Sequence, residues 1–115
     1  MPKKEKDLPD AYERFRDRFG AHSDMMDYVG EMVSKSVPLD EKTRHLVKLG
    51  IAAGAGLSGA VKAHARQALK AGATEKEVES VAALCLTTLG LPRTVTVFEW
   101  ITEEKAVAAE KKKRS

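Results

Sequence analysis

The chain has 115 residues, of which 43% are hydrophobic, 32% charged and 5% aromatic. This length suits one domain with a real core, and the single cysteine excludes an internal disulfide and a cysteine-based metal site. The formal net charge of +3 lies at the ends, with +1 over residues 1–7 and +2 over residues 103–115. The body between them is neutral, which argues against a nucleic-acid-binding domain, whose folded surface should itself be basic.

We expect one domain over residues 1–115, with charged, flexible ends over residues 1–6 and from about 110 to 115. The sequence shows no secretion signal and no apolar run of the length that a membrane span needs. A lone thiol fits a reducing compartment. These features predict a cytoplasmic protein without a membrane partner.

The first predicted helix follows a candidate N-cap at Asp7 and ends at Gly20. Its aromatic residues Tyr12, Phe15 and Phe19 fall on one face, where they serve as core or as a contact between subunits.

The second predicted helix has Ser23 as its candidate N-cap and ends before Pro38, because the residue before a proline avoids helical geometry. Its apolar stripe is rich in methionine, which packs adaptably. The stripe consists of Met25, Val29, Met32 and Val33.

The third predicted helix opens at Asp40 and is apolar around much of its circumference. The residues expected on its buried face are Leu46, Val47, Ile51 and Gly54, with Leu49, Ala52 and Ala53 beside them. A helix with so wide an apolar surface is buried on more than one side.

The fourth predicted helix follows the Gly54-Ala55-Gly56 break, with Ser58 as its candidate N-cap and Gly72 just beyond its end. The short link predicts an antiparallel hairpin with the third helix. His64 lies on its face of small and apolar residues, so desolvation should lower the pKa of this imidazole unless a carboxylate approaches from elsewhere.

The fifth predicted helix begins with a capping box from Thr74 to Glu77 and ends at Gly90. Pro92 fits the first turn of a last helix. Cys85 lies in the middle of the apolar stripe of the fifth helix, where a thiol acts as a small hydrophobe. No alternation of strand type appears, so the sequence predicts an all-α fold of about six helices.

Three segments, residues 39–47, 63–74 and 90–92, resemble the motifs of a known family in their order and spacing. Through them the chain resembles the carboxymuconolactone decarboxylase and alkylhydroperoxidase D-like family. The resemblance implies the helical alkylhydroperoxidase D-like fold and a homo-oligomer, commonly a trimer or a hexamer. Helices that are apolar on two sides agree with self-association.

The chain departs from the redox members of that family. Those members carry a Cys-x-x-Cys where this chain has Leu57 and Ala60, and a glutamate where it has His45. Of their proton-relay set only His64 remains. Because disulfide chemistry needs a second thiol and Cys85 is alone, we expect no thiol peroxidase activity.

The resemblance makes His64 the first candidate catalytic residue and His45 the second, since an imidazole transfers protons near neutral pH. The alternatives are a hydrogen-bonded core histidine at position 64 and a surface histidine at position 45. Arg93 and Arg44 are candidate anchors for a substrate carboxylate, against the alternative of solvated charges. The two histidines lack an evident third ligand, so we expect no metal and no other cofactor.

Two functions stay open at this point. The first is a cofactor-free decarboxylase, or a related proton-transfer enzyme, that acts on a small organic acid or lactone; decarboxylase members of the family also lack the cysteine pair. The second is an oligomeric binding or scaffold protein that keeps the fold without the chemistry.

Overall fold

The computed structural model describes the backbone of residues 10–114 and the side chains of residues 11–103. The described part contains no strand, and its helices are α1 (Asp10–Arg18), α2 (Gly20–Ser36), α3 (Glu41–Ala55), α4 (Ser58–Lys70), α5 (Glu75–Leu89) and α6 (Leu91–Arg114). The predicted all-α fold is therefore confirmed. None of the helices in this part is both long enough and apolar enough to cross a membrane.

The chain falls into two compact units, Met1–Pro38 and Leu39–Ser115. In the first unit α1 and α2 pack against each other. Arg16 joins the two helices, because its Nη2 donates to the Tyr12 hydroxyl at 3.0 Å and to the Asp27 carboxylate at 2.7 Å. The expected cap at Asp7 lies outside the described residues.

The expected cap at Ser23 is wrong. The N-cap of α2 is Phe19, which makes no side-chain capping hydrogen bond, and Ser23 lies buried inside the helix. Only Phe19 separates the end of α1 from the start of α2 at Gly20, which leaves no loop for a separate cap.

The apolar residues of α1 and α2 are largely exposed within the single chain. This holds for both the aromatic face of α1 and the methionine stripe of α2, whose exposed members are Tyr12, Phe15, Phe19, Met25, Val29, Met32 and Val33. A helical pair that buries so little apolar surface has almost no core of its own.

In the second unit α3 to α6 enclose one apolar core, in which each helix packs on at least two others. Its largest fully buried side chains are Leu49, Val61, Val78, Val97 and Ile101, and alanines fill the space between them. Cys85 is 7% exposed at the edge of this core, as expected for a thiol with a structural role.

The buried face of α3 differs from the expected one. Leu49 and Ala53 are fully buried, whereas Val47 is 48% exposed and Ile51 is 67% exposed. The small side chains at positions 52 and 53 let α4 approach closely, so the helix turns that side inward. Val47 and Ile51 therefore line an open groove between α3 and α5 with a volume of about 670 Å³.

Of the caps predicted in the second unit, two are confirmed and one is wrong. The Asp40 carboxylate accepts from the backbone N–H of Thr43 at 2.8 Å, and Thr74 and Glu77 form the predicted capping box. Ser58 is not a cap, because α4 already begins with it and its N-cap is Leu57. At the other end of the chain, α6 continues to Arg114, where the sequence predicts a flexible end.

The end of α3 depends on Gly56 and Arg93. Gly56 has a left-handed backbone with φ of 72°, and its N–H closes the helix on the carbonyls of Ala52 and Ala53. The Arg93 Nη1 donates to the Ala53 carbonyl at 2.9 Å, where a cation also suits the helix dipole. A Cβ at position 56 would lie 2.7 Å from that nitrogen.

Gly56→Ala should therefore lower the free energy of unfolding by about 1–2 kcal/mol. Alanine is strained in a left-handed backbone conformation, and its Cβ would displace Arg93. Gly59→Ala is the matched control. Its Cβ meets nothing within 4 Å, and alanine favours a helix over glycine, so the control should be neutral or stabilising. Urea denaturation measures both. Equal effects of the two substitutions would contradict this account of the α3 terminus.

Candidate functional site

His45 of α3 and His64 of α4 face each other across the helical hairpin. Their Nδ1 atoms are 3.2 Å apart, and their ring centroids are separated by 5.5 Å with the planes inclined at 32°. Both side chains are half-buried. A hydrogen bond at this separation requires one Nδ1 to carry the proton and the other to accept it, and when both rings are neutral this makes them opposite tautomers.

The hairpin itself creates this contact. Only Gly56 and Leu57 separate α3 from α4, so the helices run antiparallel and the residues before the turn meet those after it. Ala53 and Val61 are fully buried in the seam, and Ala65 is 1% exposed. Close approach through small side chains brings the two imidazoles within hydrogen-bonding distance.

The surroundings favour neutral rings at both positions. Desolvation is the main cause that lowers the pKa of His64, followed by the charge of His45 and that of Lys48. Desolvation also lowers the pKa of His45, together with the charges of Lys48 and Arg44, while Glu41 acts in the opposite direction. The lowered pKa that the sequence predicts for His64 is thus present, and no carboxylate reverses it.

The two candidate anchors bind backbone carbonyls. Arg93 donates to Ala53, eight residues beyond His45 and so about 12 Å away along the axis of α3. Arg44 is adjacent to His45 in sequence, but its Nη1 donates to the Leu39 carbonyl at 2.6 Å, toward the start of the helix. Neither arginine forms a hydrogen bond with either histidine. Their role as anchors stays a prediction.

Lys48 is the charged residue that the sequence reasoning missed. It lies three residues after His45, hence on the same side of α3, and it acts electrostatically on both imidazoles. It is half-buried and forms no ion pair within the described part of the chain. The three-residue spacing from His45 was the signal that could have identified it.

The positions of the redox cysteines hold side chains without redox chemistry. Leu57 is the exposed N-cap residue of α4, and Ala60 lies one turn before His64. Cys85 is on α5, and its thiol donates to the Val81 carbonyl at 3.3 Å. No second thiol is available in the chain to form a disulfide with it.

Among the described residues, no group of three or more histidine, cysteine or carboxylate side chains could hold a metal ion. The groove between α3 and α5 is lined mainly by apolar residues, with Cys85, three hydroxyl side chains and the Glu77 carboxylate among them. His45 and His64 are not part of that lining. The histidine pair and the apolar groove are therefore separate features of α3.

The histidine pair predicts a specific pH dependence of stability. Both folded pKa values lie below the ordinary value of 6.5, so the unfolded chain binds protons more readily than the folded one as the pH falls. The free energy of unfolding should accordingly decrease between about pH 7 and pH 5. Urea denaturation at several pH values measures this decrease.

The control for that measurement is the double variant His45→Gln, His64→Gln, which removes both titrating rings and keeps polar side chains. Its free energy of unfolding should change less over the same pH interval. The same pH slope in both proteins would contradict the assignment.

Comparison with known proteins gives one match. No curated protein matches the chain, and no solved structure does. The model of the carboxymuconolactone decarboxylase family matches residues 21–103, which is most of the sequence and includes α3 to α5 with both histidines. On this match and the all-α fold, the chain belongs to the carboxymuconolactone decarboxylase family.

Proposed function

We propose that the protein is a cofactor-free enzyme that uses the His45–His64 pair to move a proton on a small organic acid or lactone. The observation that carries the proposal is the 3.2 Å contact between the two Nδ1 atoms. It supplies a donor and an acceptor in one place and leaves an Nε2 on each ring for a substrate. Family membership supports the class, since decarboxylases of this kind work without the cysteine pair.

In the decarboxylation the bond between the α-carbon and the carboxylate carbon breaks. Carbon dioxide leaves, and the bonding electrons remain on the α-carbon as a carbanion stabilised as an enolate. Protonated His64 donates its proton to that carbon and becomes neutral, and solvent restores the proton through His45. The lowered pKa of His64 makes its imidazolium a stronger acid for this step.

On a lactone the same pair can act without loss of carbon dioxide. A neutral ring removes a proton from the carbon next to the carbonyl, and a protonated ring returns one at another carbon. Both reactions need an imidazole that alternates between neutral and charged forms, and half-burial of the two rings supports that role.

His64→Gln should reduce turnover by about 10²–10⁴-fold, which is the usual contribution of a positioned acid or base. His45→Gln should have a smaller effect, because it removes the partner of His64 and leaves the reacting ring. The assay follows carbon dioxide release, and solvent proton exchange at the α-carbon, over a panel of small β-keto acids and carboxylated lactones.

His22→Gln is the control, because His22 is exposed on α2, where its ring meets that of Phe19 edge to face. Turnover that survives His64→Gln would contradict the proposal. A folded protein with neither carbon dioxide release nor proton exchange on any member of the panel would favour the non-catalytic alternative.

We also propose that the chain forms a homo-oligomer, in keeping with the trimers and hexamers that the family resemblance implies. The support is the apolar surface that a single chain leaves open. In the groove between α3 and α5, Ile51 is 67% exposed and Leu84 is 72% exposed. Surfaces of this kind usually mark an interface.

Ile51→Lys should shift the protein toward monomers, since a charge in the groove must be desolvated on association. The side chain is mostly exposed in the single chain, so the monomer should stay folded. Thr87→Lys, at an exposed position of α5, is the control. Sedimentation velocity at micromolar concentration measures the mass, and a folded, monomeric unmodified chain would overturn the proposal.

A further inference from the structure

The surroundings of the histidine pair contain more positive than negative charge. Lys48 and Arg44 both lower the pKa of His45, and only Glu41 raises it. Lys48 and the partner imidazole lower the pKa of His64. The charged groups of α3 that act on the pair are thus two cations and one exposed carboxylate, and α4 contributes His64 itself.

Lys48 differs from Lys42 of α3 and Lys62 of α4 in having no carboxylate partner among the described side chains. Lys42 pairs with Glu77 at 3.2 Å, and Lys62 pairs with Glu103 at 2.9 Å. Within the described side chains Lys48 has no such contact, although it is half-buried. A cation without a carboxylate partner can attract an added anion.

We propose that Lys48, His45 and His64 form a binding site for the carboxylate of a small organic anion. Lys48 supplies the charge, and the Nε2–H of the imidazole that accepts in the contact between the rings supplies one directional donor. The cluster places an anion beside the atoms that would transfer the proton. This assigns the anchoring role to Lys48, while Arg93 and Arg44 hold backbone carbonyls.

The proposal deepens the proposed function, and its link to catalysis rests on that function. The anion site itself is tested by binding alone. The probe is malonate, titrated into the protein at constant ionic strength while the ring signals of His45 and His64 are followed by ¹H–¹⁵N NMR. We expect saturable shifts of both rings, and no such shifts when sodium chloride replaces malonate.

Lys48→Met keeps the aliphatic stem and removes the charge, so it should weaken malonate binding about tenfold or more. Lys48→Arg should retain binding within a few-fold. Lys76→Met is the matched control, because Lys76 is an exposed lysine on α5 that does not act on either imidazole. Circular dichroism verifies that each variant keeps its helices.

Three results would overturn the anion site. They are shifts in the unmodified protein that chloride reproduces, equal binding by Lys48→Met and the unmodified protein, and equal losses in Lys48→Met and Lys76→Met. Malonate binding that depends on Lys48, in a protein that turns over no substrate, would support the site and count against the proposed function. Turnover that needs His64 but not Lys48 would support the proposed function and count against the anion site.

Discussion

The close packing of α3 on α4 is the constraint on which the rest of the structure depends. Alanines at positions 52, 53 and 65 keep the two helices near each other, and the Gly56 turn reverses the chain without a longer loop. The same seam anchors the core through Leu49 and sets His45 opposite His64. The α3–α4 interface therefore both stabilises the core and positions the candidate catalytic residues. Arg93 binds the Ala53 carbonyl near the end of α3, next to the turn.

Much of this fold could be predicted from the sequence because its signals are local. The Asp40 cap and the Thr74 capping box each need only residues within one turn. The wrong predictions concern which side chains tertiary packing buries and where the helices begin. Ile51 is as apolar as Leu49, and only the packing of α4 decides which one is buried. Ser23 and Ser58 have the right chemistry for caps, but the helices begin before or at them.

The candidate site could likewise be predicted only in part. The two histidines could be named from their positions in the motif, whereas their 3.2 Å contact depends on the register of the hairpin. Lys48 was missed because a lysine on a helix is usually a solvated charge, and only the structure shows it half-buried, with a charge that acts on both imidazoles. The result is a family member in which Leu57 and Ala60 stand where redox relatives carry cysteines, and His45 stands where they carry a glutamate.

The central claim is that His45 and His64 act as one hydrogen-bonded unit. Long-range ¹H–¹⁵N NMR of the imidazole rings tests it most directly, because ring nitrogen shifts report the tautomer and the protonation state. The account predicts opposite tautomers at neutral pH, with Nδ1–H on one ring and Nε2–H on the other, and coupled titration below the ordinary histidine pKa. Two rings in the same tautomer that titrate independently at ordinary values would contradict it.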